Sequence, residues 1–309
     1  MRHSAEVAIH FRSNDRFLHR ASDHNDLANE KFQGLLDRVQ TCHIYMIGKR
    51  PRVSIVPGTV NLAEEHLQLT ISFRFRGEEF RFPISYPRHL FRPEEVSFEA
   101  AEFPHRELIS RNADGRIIVK TLLANHVHLF DSLPERARDT EILYIGKGTA
   151  QSASDRLESH STLQRILGDV SADDPESEIF ILLYSFEFKK PMQAMKGRPG
   201  FDRIKEGAHL EAVRAYQPSL VDKISLVEAS CIGYFRPPYN TQLLTFPKCN
   251  LAARDRAQLA DFACILVDID NDPIGGARMF SSHVPTASYH SFRVDLREMT
   301  IATLQGTGQ

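Results

Sequence analysis

The stretch from Glu178 to Phe186 constrains the fold of this chain more than any other. It reads Glu-Ile-Phe-Ile-Leu-Leu-Tyr-Ser-Phe, a nearly continuous run of apolar side chains. Alternation of apolar and polar residues is typical of a strand that covers one face of a sheet, whereas an unbroken run predicts a strand buried on both faces. We therefore expect a sheet that is covered on both sides.

Further patterns predict a mixture of helices and strands around that sheet. Period-two alternation and short apolar runs predict strands, and apolar residues at helical spacing predict helices. The predicted strands are 5–12, 67–76, 80–82, 126–130, 141–146, 264–270 and 275–280. The predicted helices are 24–41, 153–167, 206–216 and 220–235. Three antiparallel hairpins are expected, namely 67–76 with 80–82, 126–130 with 141–146, and 264–270 with 275–280.

Length and composition predict a folded protein with three consecutive regions. The chain has 309 residues, of which 42% are apolar and 25% charged, as in ordinary globular domains. We divide it into a β-rich region with one helix over 1–122, an α+β region over 123–242 and a β extension over 243–309. The first region ends in the proline-rich segment 83–104, which is expected to be irregular. Its role is not determined by the sequence, and we expect it, like the C-terminal extension, to add substrate binding or an oligomer contact.

The same numbers point to a cytoplasmic protein without a membrane span. No apolar run reaches the roughly 18 residues that a spanning helix needs, and the first residues lack a secretion signal. The cysteines, Cys42, Cys231, Cys249 and Cys264, are scattered, which argues against a zinc site or a disulfide framework. The net charge of −2 argues against strong non-specific binding to nucleic acid but allows one basic groove.

The chemistry-bearing residues cluster around Tyr144-Ile145-Gly146-Lys147-Gly148. This stretch begins inside the predicted strand 141–146, and Arg156 and His160 then share one face of the next predicted helix. A guanidinium can neutralise the charge of a pentacoordinate phosphorus, and an imidazole can accept a proton near neutral pH. Taken singly, Arg156 and His160 fit an ordinary solvated helix face better than a catalytic role, and taken together with Tyr144 they favour phosphodiester chemistry.

Glu228 lies on the apolar stripe of the helix 220–235, beside Ile224, Cys231 and Ile232. Burying an unpaired carboxylate is costly, so this side chain needs a cation or a donor network. A structural arginine or water at the edge of the stripe would satisfy it, and so would a divalent metal. One visible carboxylate predicts a single Mg²⁺ that keeps several water ligands.

Other motifs are weaker. His126 and His128 alternate on a predicted strand but lack a third ligand for zinc, and Asp268-x-Asp270-x-Asp272 lacks the glycine and terminal glutamate of a calcium loop. The basic loop 189–200 is the candidate contact for a phosphate backbone or else an exposed insertion. Its cations are Lys189, Lys190, Lys196 and Arg198.

The residues between about 124 and 242 resemble the GIY-YIG nuclease family. The second family motif matches Tyr144-Ile145-Gly146, and the extension Lys147-Gly148 is similar to LEM-domain nucleases and related bacterial proteins. The family arginine and histidine match Arg156 and His160, its glutamate matches Glu228, and its closing Pro-x-Asn matches Pro238-Tyr239-Asn240. The first motif is found only as His128-Leu129-Phe130, which lacks the first phenol.

This resemblance implies an α+β fold whose core is a three-stranded antiparallel sheet with flanking helices. It implies that Glu228 holds one Mg²⁺ or Mn²⁺ and that Tyr144, with His160 or Lys147, takes the proton from the attacking water. Arg156 would stabilise the phosphorane charge, while Gly146 and Asn240 would be structural.

The expected function is a divalent-metal-dependent endonuclease acting on double-stranded DNA, in restriction, phage defence or repair. The sequence leaves open whether the chain forms a homodimer, and no membrane partner is expected. One alternative is a binding module whose chemistry has decayed, because Phe130 stands where the family has tyrosine. The other is a nuclease directed at RNA.

Overall fold

The computed structural model describes residues 5–28, 33–127, 130, 133–148, 153–158, 161–194 and 203–304. The strands are β1 Ala5–Arg20, β2 Ile44–Pro51, β3 Val53–Ile55, β4 Asn61–Leu62, β5 His66–Phe75, β6 Glu78–Pro87, β7 Ser97–Ala100, β8 Glu107–Arg111, β9 Ile117–Leu122, β10 Thr140–Lys147, β11 Ser177–Lys189, β12 Met192–Ala194, β13 Cys264–Asp270, β14 Met279–Phe280, β15 Tyr289–Asp295 and β16 Thr300–Thr303.

The α-helices are α1 Gln33–Gln40, α2 Glu135–Arg138, α3 Ala153–Glu158, α4 Ser161–Asp173, α5 Arg203–Ala215, α6 Leu220–Phe235 and α7 Ala252–Leu259. Short 3-10 helices include Ala21–Ala28 and Leu123–Asn125. The mixed helix and sheet composition confirms the α+β class. Among the described residues, none of the helices has both the length and the apolar character that crossing a membrane would require.

The chain forms two compact units. The first comprises Met1–Gly48, Glu141–Ile166 and Phe180–Gln309, and the second comprises Lys49–Thr140 and Leu167–Ile179. Each unit is thus assembled from separated stretches, unlike the three consecutive regions that we predicted from the sequence.

The main sheet has nine strands in the order β14-β10-β2-β11-β1-β13-β15-β16, with β12 also paired to β1. The strand predicted at 178–186 is confirmed as β11, and its first eight residues are all buried. β11 pairs antiparallel with β1, where Phe11 lies opposite Phe188. On its other edge β1 pairs in parallel with β13, where Phe11 lies opposite Val267.

Helix α6 packs against one face of this sheet because most of its side chains are apolar. Ile224, Val227, Cys231 and Ile232 belong to the same buried cluster as strand residues that include Ile44, Met46, Ile145, Leu182 and Tyr184. Burial of each such side chain contributes about 1.5–3 kcal/mol. The helix begins after Ser219, whose hydroxyl accepts from the backbone N–H of Asp222, as an N-cap residue does.

The hairpin predicted from 126–130 and 141–146 is wrong. The described residues of 126–130 lie in a turn, at the end of a 3-10 helix or in a loop, and β10 pairs instead with β2 and β14. Apolar periodicity predicts correctly that 141–146 forms a strand, but it carries no information about which strand pairs with it. Val127 is buried and Phe130 is half-buried although neither lies in a strand.

The predicted C-terminal hairpin is also wrong in its pairing. β13 forms as expected, but its antiparallel partner is β15, with Val267 opposite Phe292. The short β14, within the predicted return strand 275–280, pairs with β10. A 3-10 helix at Asp272–Ile274 and a left-handed Gly275 at φ 78° turn the chain away from β13.

Smaller differences concern the ends of elements. The hairpin of 67–76 with 80–82 is confirmed as β5 and β6, but β6 continues through Pro83 to Pro87, so part of the proline-rich segment is a strand. Prolines are tolerated there because β6 pairs only with β5 among the described strands and is therefore an edge strand. The helix predicted over 24–41 is a 3-10 helix followed by α1, with residues 29–32 outside the described part, and the helix predicted over 153–167 is α3 followed by α4.

Candidate functional site

The candidate site begins where β2 and β10 lie side by side in the first unit. The N–H of Gly148, just after β10, donates to the carbonyl of His43, just before β2, at 2.9 Å. Nδ1 of His43 in turn donates to the carbonyl of Gly148 at 3.0 Å. The end of one strand therefore lies at the start of the other, which fixes an antiparallel arrangement of the two segments.

This pairing brings two tyrosines together across Gly146. The rings of Tyr45 on β2 and Tyr144 on β10 have centroids 6.0 Å apart and an interplanar angle of 34°. Tyr45 is 1% exposed, whereas Tyr144 is half-buried. A Cβ atom on Gly146 would lie 2.4 Å from Tyr45 Oη and 2.9 Å from Tyr144 Cε1. Only glycine leaves room for both rings without movement of either, which explains Gly146.

Asn240 attaches the loop after α6 to the same strand. Its Oδ1 accepts from the N–H of Ile145 at 2.9 Å, and its Nδ2 donates to the carbonyl of Ile145 at 2.8 Å. The neighbouring N–H of Tyr239 donates to the carbonyl of Leu143 at 3.0 Å. The amide of Asn240 thus acts as a short substitute for a neighbouring strand and holds β10 at a fixed distance from the end of α6.

Replacing Asn240 with alanine is expected to lower the free energy of unfolding by about 2–4 kcal/mol. The change leaves the N–H and the carbonyl of the buried Ile145 without these partners, and each buried unsatisfied group costs roughly 1–3 kcal/mol. Urea denaturation of the parent and of Asn240→Ala measures this loss. Asn61→Ala, at an exposed asparagine of β4, serves as the matched control and should change stability by less than about 0.5 kcal/mol. Equal stabilities of Asn240→Ala and the control would contradict this role for the amide.

The acid of the site is paired with a lysine of β10. Nζ of Lys147 lies 2.8 Å from Oε2 of Glu228 on α6 and donates to Oγ of Ser225 at 3.0 Å. The side chain of Glu228 is 12% exposed. Burial raises the pKa of its carboxyl group above the ordinary value, and the charge and hydrogen bond of Lys147 oppose that rise.

Lys147 and Glu228 therefore form a partly buried pair in which the ammonium balances the acid. The cation that Glu228 was expected to need is supplied, in this structure, by a side chain of the neighbouring strand. The ion pair lies close to Tyr45 and Tyr144, because Lys147 directly follows Gly146, which both tyrosine rings approach.

A divalent metal fits this arrangement only through Glu228. Within the residues that the structure describes, no group of three or more His, Cys, Asp or Glu side chains could hold a metal ion. Mg²⁺ is often held by one or two carboxylates while it keeps several waters, and a half-buried carboxylate with a raised pKa gains from an added positive charge. Glu228 is thus suited to one weakly ligated ion, and Lys147 is the group that would share its oxygens.

Four of the expected site residues are placed only in part or not at all. Arg156 lies in α3, but its side chain is outside the described part of the structure, as are His160, Lys196 and Arg198. The start of α3 is fixed to the same region, because the N–H of Ala153 donates to the carbonyl of Cys42 at 2.9 Å. The segment before β2 therefore contacts both the end of β10 and the helix that carries Arg156.

Of the four cations in the basic loop 189–200, Lys189 and Lys190 are within the described part of the structure. Nζ of Lys189 lies 3.1 Å from the carboxylate of Glu187 at the exposed end of β11. Nζ of Lys190 donates to the carbonyls of Val213 and Tyr216 at the end of α5, where a cation stabilises the helix. Lys190 thus has a structural task, and its role in binding a phosphate backbone stays a prediction, as does that of Lys189.

Sequence reasoning missed Tyr45 and His43. The signal was present as the apolar run Ile44-Tyr45-Met46-Ile47, but this run lies far from Tyr144 in the chain. Nothing in the local pattern indicates that most of the residues of the second unit lie between β2 and β10 in the sequence.

Comparison with known proteins adds no assignment. A scan against protein-family models, a search of curated proteins and a search of solved structures each gave no match for this chain.

Proposed function

We propose that this chain is a metal-dependent nuclease that hydrolyses phosphodiester bonds in DNA, with a core of the GIY-YIG type. The observation that carries the proposal is the pairing of β2 with β10. It sets Tyr45 beside Tyr144, over a glycine that no larger residue could replace without movement. Next to them along the chain lies the ion pair of Lys147 and Glu228.

In this proposal His43-Ile44-Tyr45 takes the place of the first motif, with histidine in the position of glycine, and Tyr45 has the role of the tyrosine that we sought at Phe130. The alternative of a decayed binding module was motivated by the missing phenol, and Tyr45 would supply that phenol. Asn240, bonded to Ile145, supports the match at the end of the signature.

Each side chain has a chemical task in this proposal. Tyr144 is half-buried and takes the proton of the attacking water, and the ring of Tyr45 fixes its position. Lys147 keeps Glu228 ionised and oriented, and Arg156 on α3 neutralises charge on the phosphorus. A Mg²⁺ or Mn²⁺ ion on Glu228 would supply Lewis-acid stabilisation of a phosphate oxygen. Positioned charge of this kind provides most of the catalysis in phosphoryl transfer.

Removal of the lysine charge should change the pH dependence of cleavage. Only the ionised form of Glu228 can hold a cation, so cleavage is expected to fall as the pH drops through its raised pKa. Lys147 lowers that pKa, so in Lys147→Met the pKa rises further and the acidic limb of the rate profile moves to higher pH. Loss of the charged hydrogen bond should also slow cleavage about tenfold at neutral pH, which corresponds to ~1.4 kcal/mol.

Rates of plasmid nicking measured from acidic to neutral pH test this expectation. Methionine keeps the apolar stem of the lysine, so packing is retained. Lys205→Met, at an exposed residue of α5, is the control and should leave the profile unchanged. An acidic limb at the same pH in the parent and in Lys147→Met would show that Lys147 does not act through Glu228.

The function itself is tested with substrates. Supercoiled plasmid DNA, linear duplex DNA and a structured RNA are incubated with the full chain and Mg²⁺ or Mn²⁺, and in parallel with a chelator. We expect nicking or linearisation of DNA that requires the metal. Cleavage of RNA alone would favour the RNA-directed alternative, and binding of DNA without cleavage under any metal would favour the binding module.

A further inference from the structure

The second unit contains a pocket that the nuclease chemistry does not use. It lies between β6, the segment that follows it, and the strands β8 and β9, and its volume is about 590 Å³. Sites for small ligands usually measure about 300–1,000 Å³ and combine an apolar lining with a few polar groups. This pocket has both properties.

Aromatic rings form one side of the pocket. The ring of Tyr86 meets Phe130 edge-on, with centroids 4.7 Å apart at 86°, and meets Phe91 at 5.9 Å and 72°. Phe91 in turn packs edge-on against Phe98 at 4.7 Å. Edge-to-face contacts of this kind hold rings in fixed orientations. The rings therefore form a rigid apolar wall against which a flat ligand ring can pack.

Charged and polar groups are placed at the edge of this wall. The carboxylate of Glu95, in a residue that is 5% exposed, accepts from the N–H of Arg92 at 2.8 Å through Oε1. The guanidinium of Arg88 donates to the carbonyls of Arg92 and Glu95 at 3.3 and 2.7 Å. These bonds fix the turn 92–95, and with it the positions of a buried acid and an exposed guanidinium at the same pocket.

His126 adds a neutral polar ring to the lining. Burial lowers the pKa of this imidazole, so near neutral pH it is uncharged and can both donate and accept a hydrogen bond. The pocket thus offers an apolar wall of aromatic rings, a carboxylate and an imidazole as hydrogen-bond partners, and one cation at its edge. An apolar peptide segment would use the wall but would offer no donor to the carboxylate of Glu95 and no anion to Arg92.

We propose that this pocket binds a nucleotide. The base packs against Tyr86 and Phe91, its amino or imino N–H groups reach Glu95, and its phosphate meets Arg92. Arginine suits phosphate because its guanidinium is planar and always charged. The inference deepens the proposed nuclease and rests on it for the source of the nucleotide, an unpaired base of a DNA strand, although a free nucleotide has the same chemistry.

Fluorescence of 2-aminopurine tests the proposal, because the chain contains no tryptophan that would obscure the signal. The full chain is titrated, with a chelator present to prevent cleavage, against three probes. These are 2-aminopurine nucleoside 5′-monophosphate, a single-stranded oligonucleotide with one internal 2-aminopurine, and the corresponding duplex. We expect a saturable change of fluorescence with the monophosphate, with the single strand, or with both, and the pattern tells a free nucleotide from a base within a strand.

Two variants locate the binding. Arg92→Ala removes an exposed cation and should weaken binding several-fold, while Arg116→Ala, at another exposed arginine of the same unit, should have no effect. Phe91→Leu should weaken binding roughly tenfold, the usual effect of losing one base–aromatic contact. Circular dichroism verifies that each variant is folded. No fluorescence change with any probe, or equal affinities of Arg92→Ala and Arg116→Ala, would overturn the proposal.

The outcome is independent of the test of the nuclease. A chain that cuts DNA but gives no fluorescence response refutes the nucleotide pocket alone. A chain that responds through Arg92 and Phe91 but cuts nothing refutes the proposed function and leaves the pocket in place.

Discussion

Glu228→Gln is expected to reduce metal-dependent DNA cleavage by roughly 10³-fold, a barrier increase of about 4 kcal/mol. Glutamine keeps the size of the side chain and can still accept a hydrogen bond from Lys147, which lies 2.8 Å from the acid. It cannot hold a divalent cation in the same way, because it carries no negative charge. Initial rates of plasmid nicking at saturating Mg²⁺ measure the effect.

The matched control for this variant is Glu211→Gln on α5, where the side chain is exposed. Its cleavage rate should equal that of the parent. Folding is checked by thermal unfolding, and Glu228→Gln should be no less stable than the parent, because a buried acid with a raised pKa is costly when ionised. Full activity in Glu228→Gln would remove the acid from the proposed chemistry.

Gly146→Ala is expected to lower the free energy of unfolding by about 2–3 kcal/mol and to disturb the site. The new methyl group would lie 2.4 Å from Tyr45 Oη and 2.5 Å from Cζ, and Tyr45 is too buried to move into solvent. Insertion of one methyl group into a well-packed region typically costs about 1–3 kcal/mol because side chains or backbone must shift. Chemical denaturation gives the stability, and the same sample gives the cleavage rate.

Gly207→Ala is the control for this prediction. Gly207 lies in α5, where a Cβ atom would have no neighbour within 4 Å. Alanine is the better helix former, so this variant should gain up to about 1 kcal/mol. A Gly146→Ala protein as stable and as active as the Gly207→Ala protein would mean that the close approach of Tyr45 to β10 is not required.

Much of the fold could be predicted from local patterns. The apolar run 178–186 forms β11, the alternating stretch 67–76 forms β5, and the helix predicted at 220–235 is α6 with the same bounds. In each case the side chains of one short segment determine the outcome. The position of Glu228 at the edge of a buried stripe followed from the same helical geometry, and so did its need for a cation.

Pairing between distant segments could not be predicted in this way. β10 lies next to β2 rather than to the stretch before it, and β13 pairs with β15 rather than with the return at 275–280. These choices depend on the burial of whole sheet faces, which no window of sequence contains. The same limit explains why Tyr45 was missed and why the bonds of Lys190 to the end of α5 were not expected.

The central claim is that residues from β2, β10 and α6 act as one site on a phosphodiester bond. A double-mutant cycle of cleavage rates with Tyr144→Phe and Glu228→Gln tests it most directly, because the two residues lie on β10 and α6 and each change removes a chemical group while it preserves the bulk of its side chain. Residues that act as a unit are not additive, so we predict that the double variant is slowed much less than the product of the two single effects. Independent, multiplying effects, or no effect of either change, would contradict the claim.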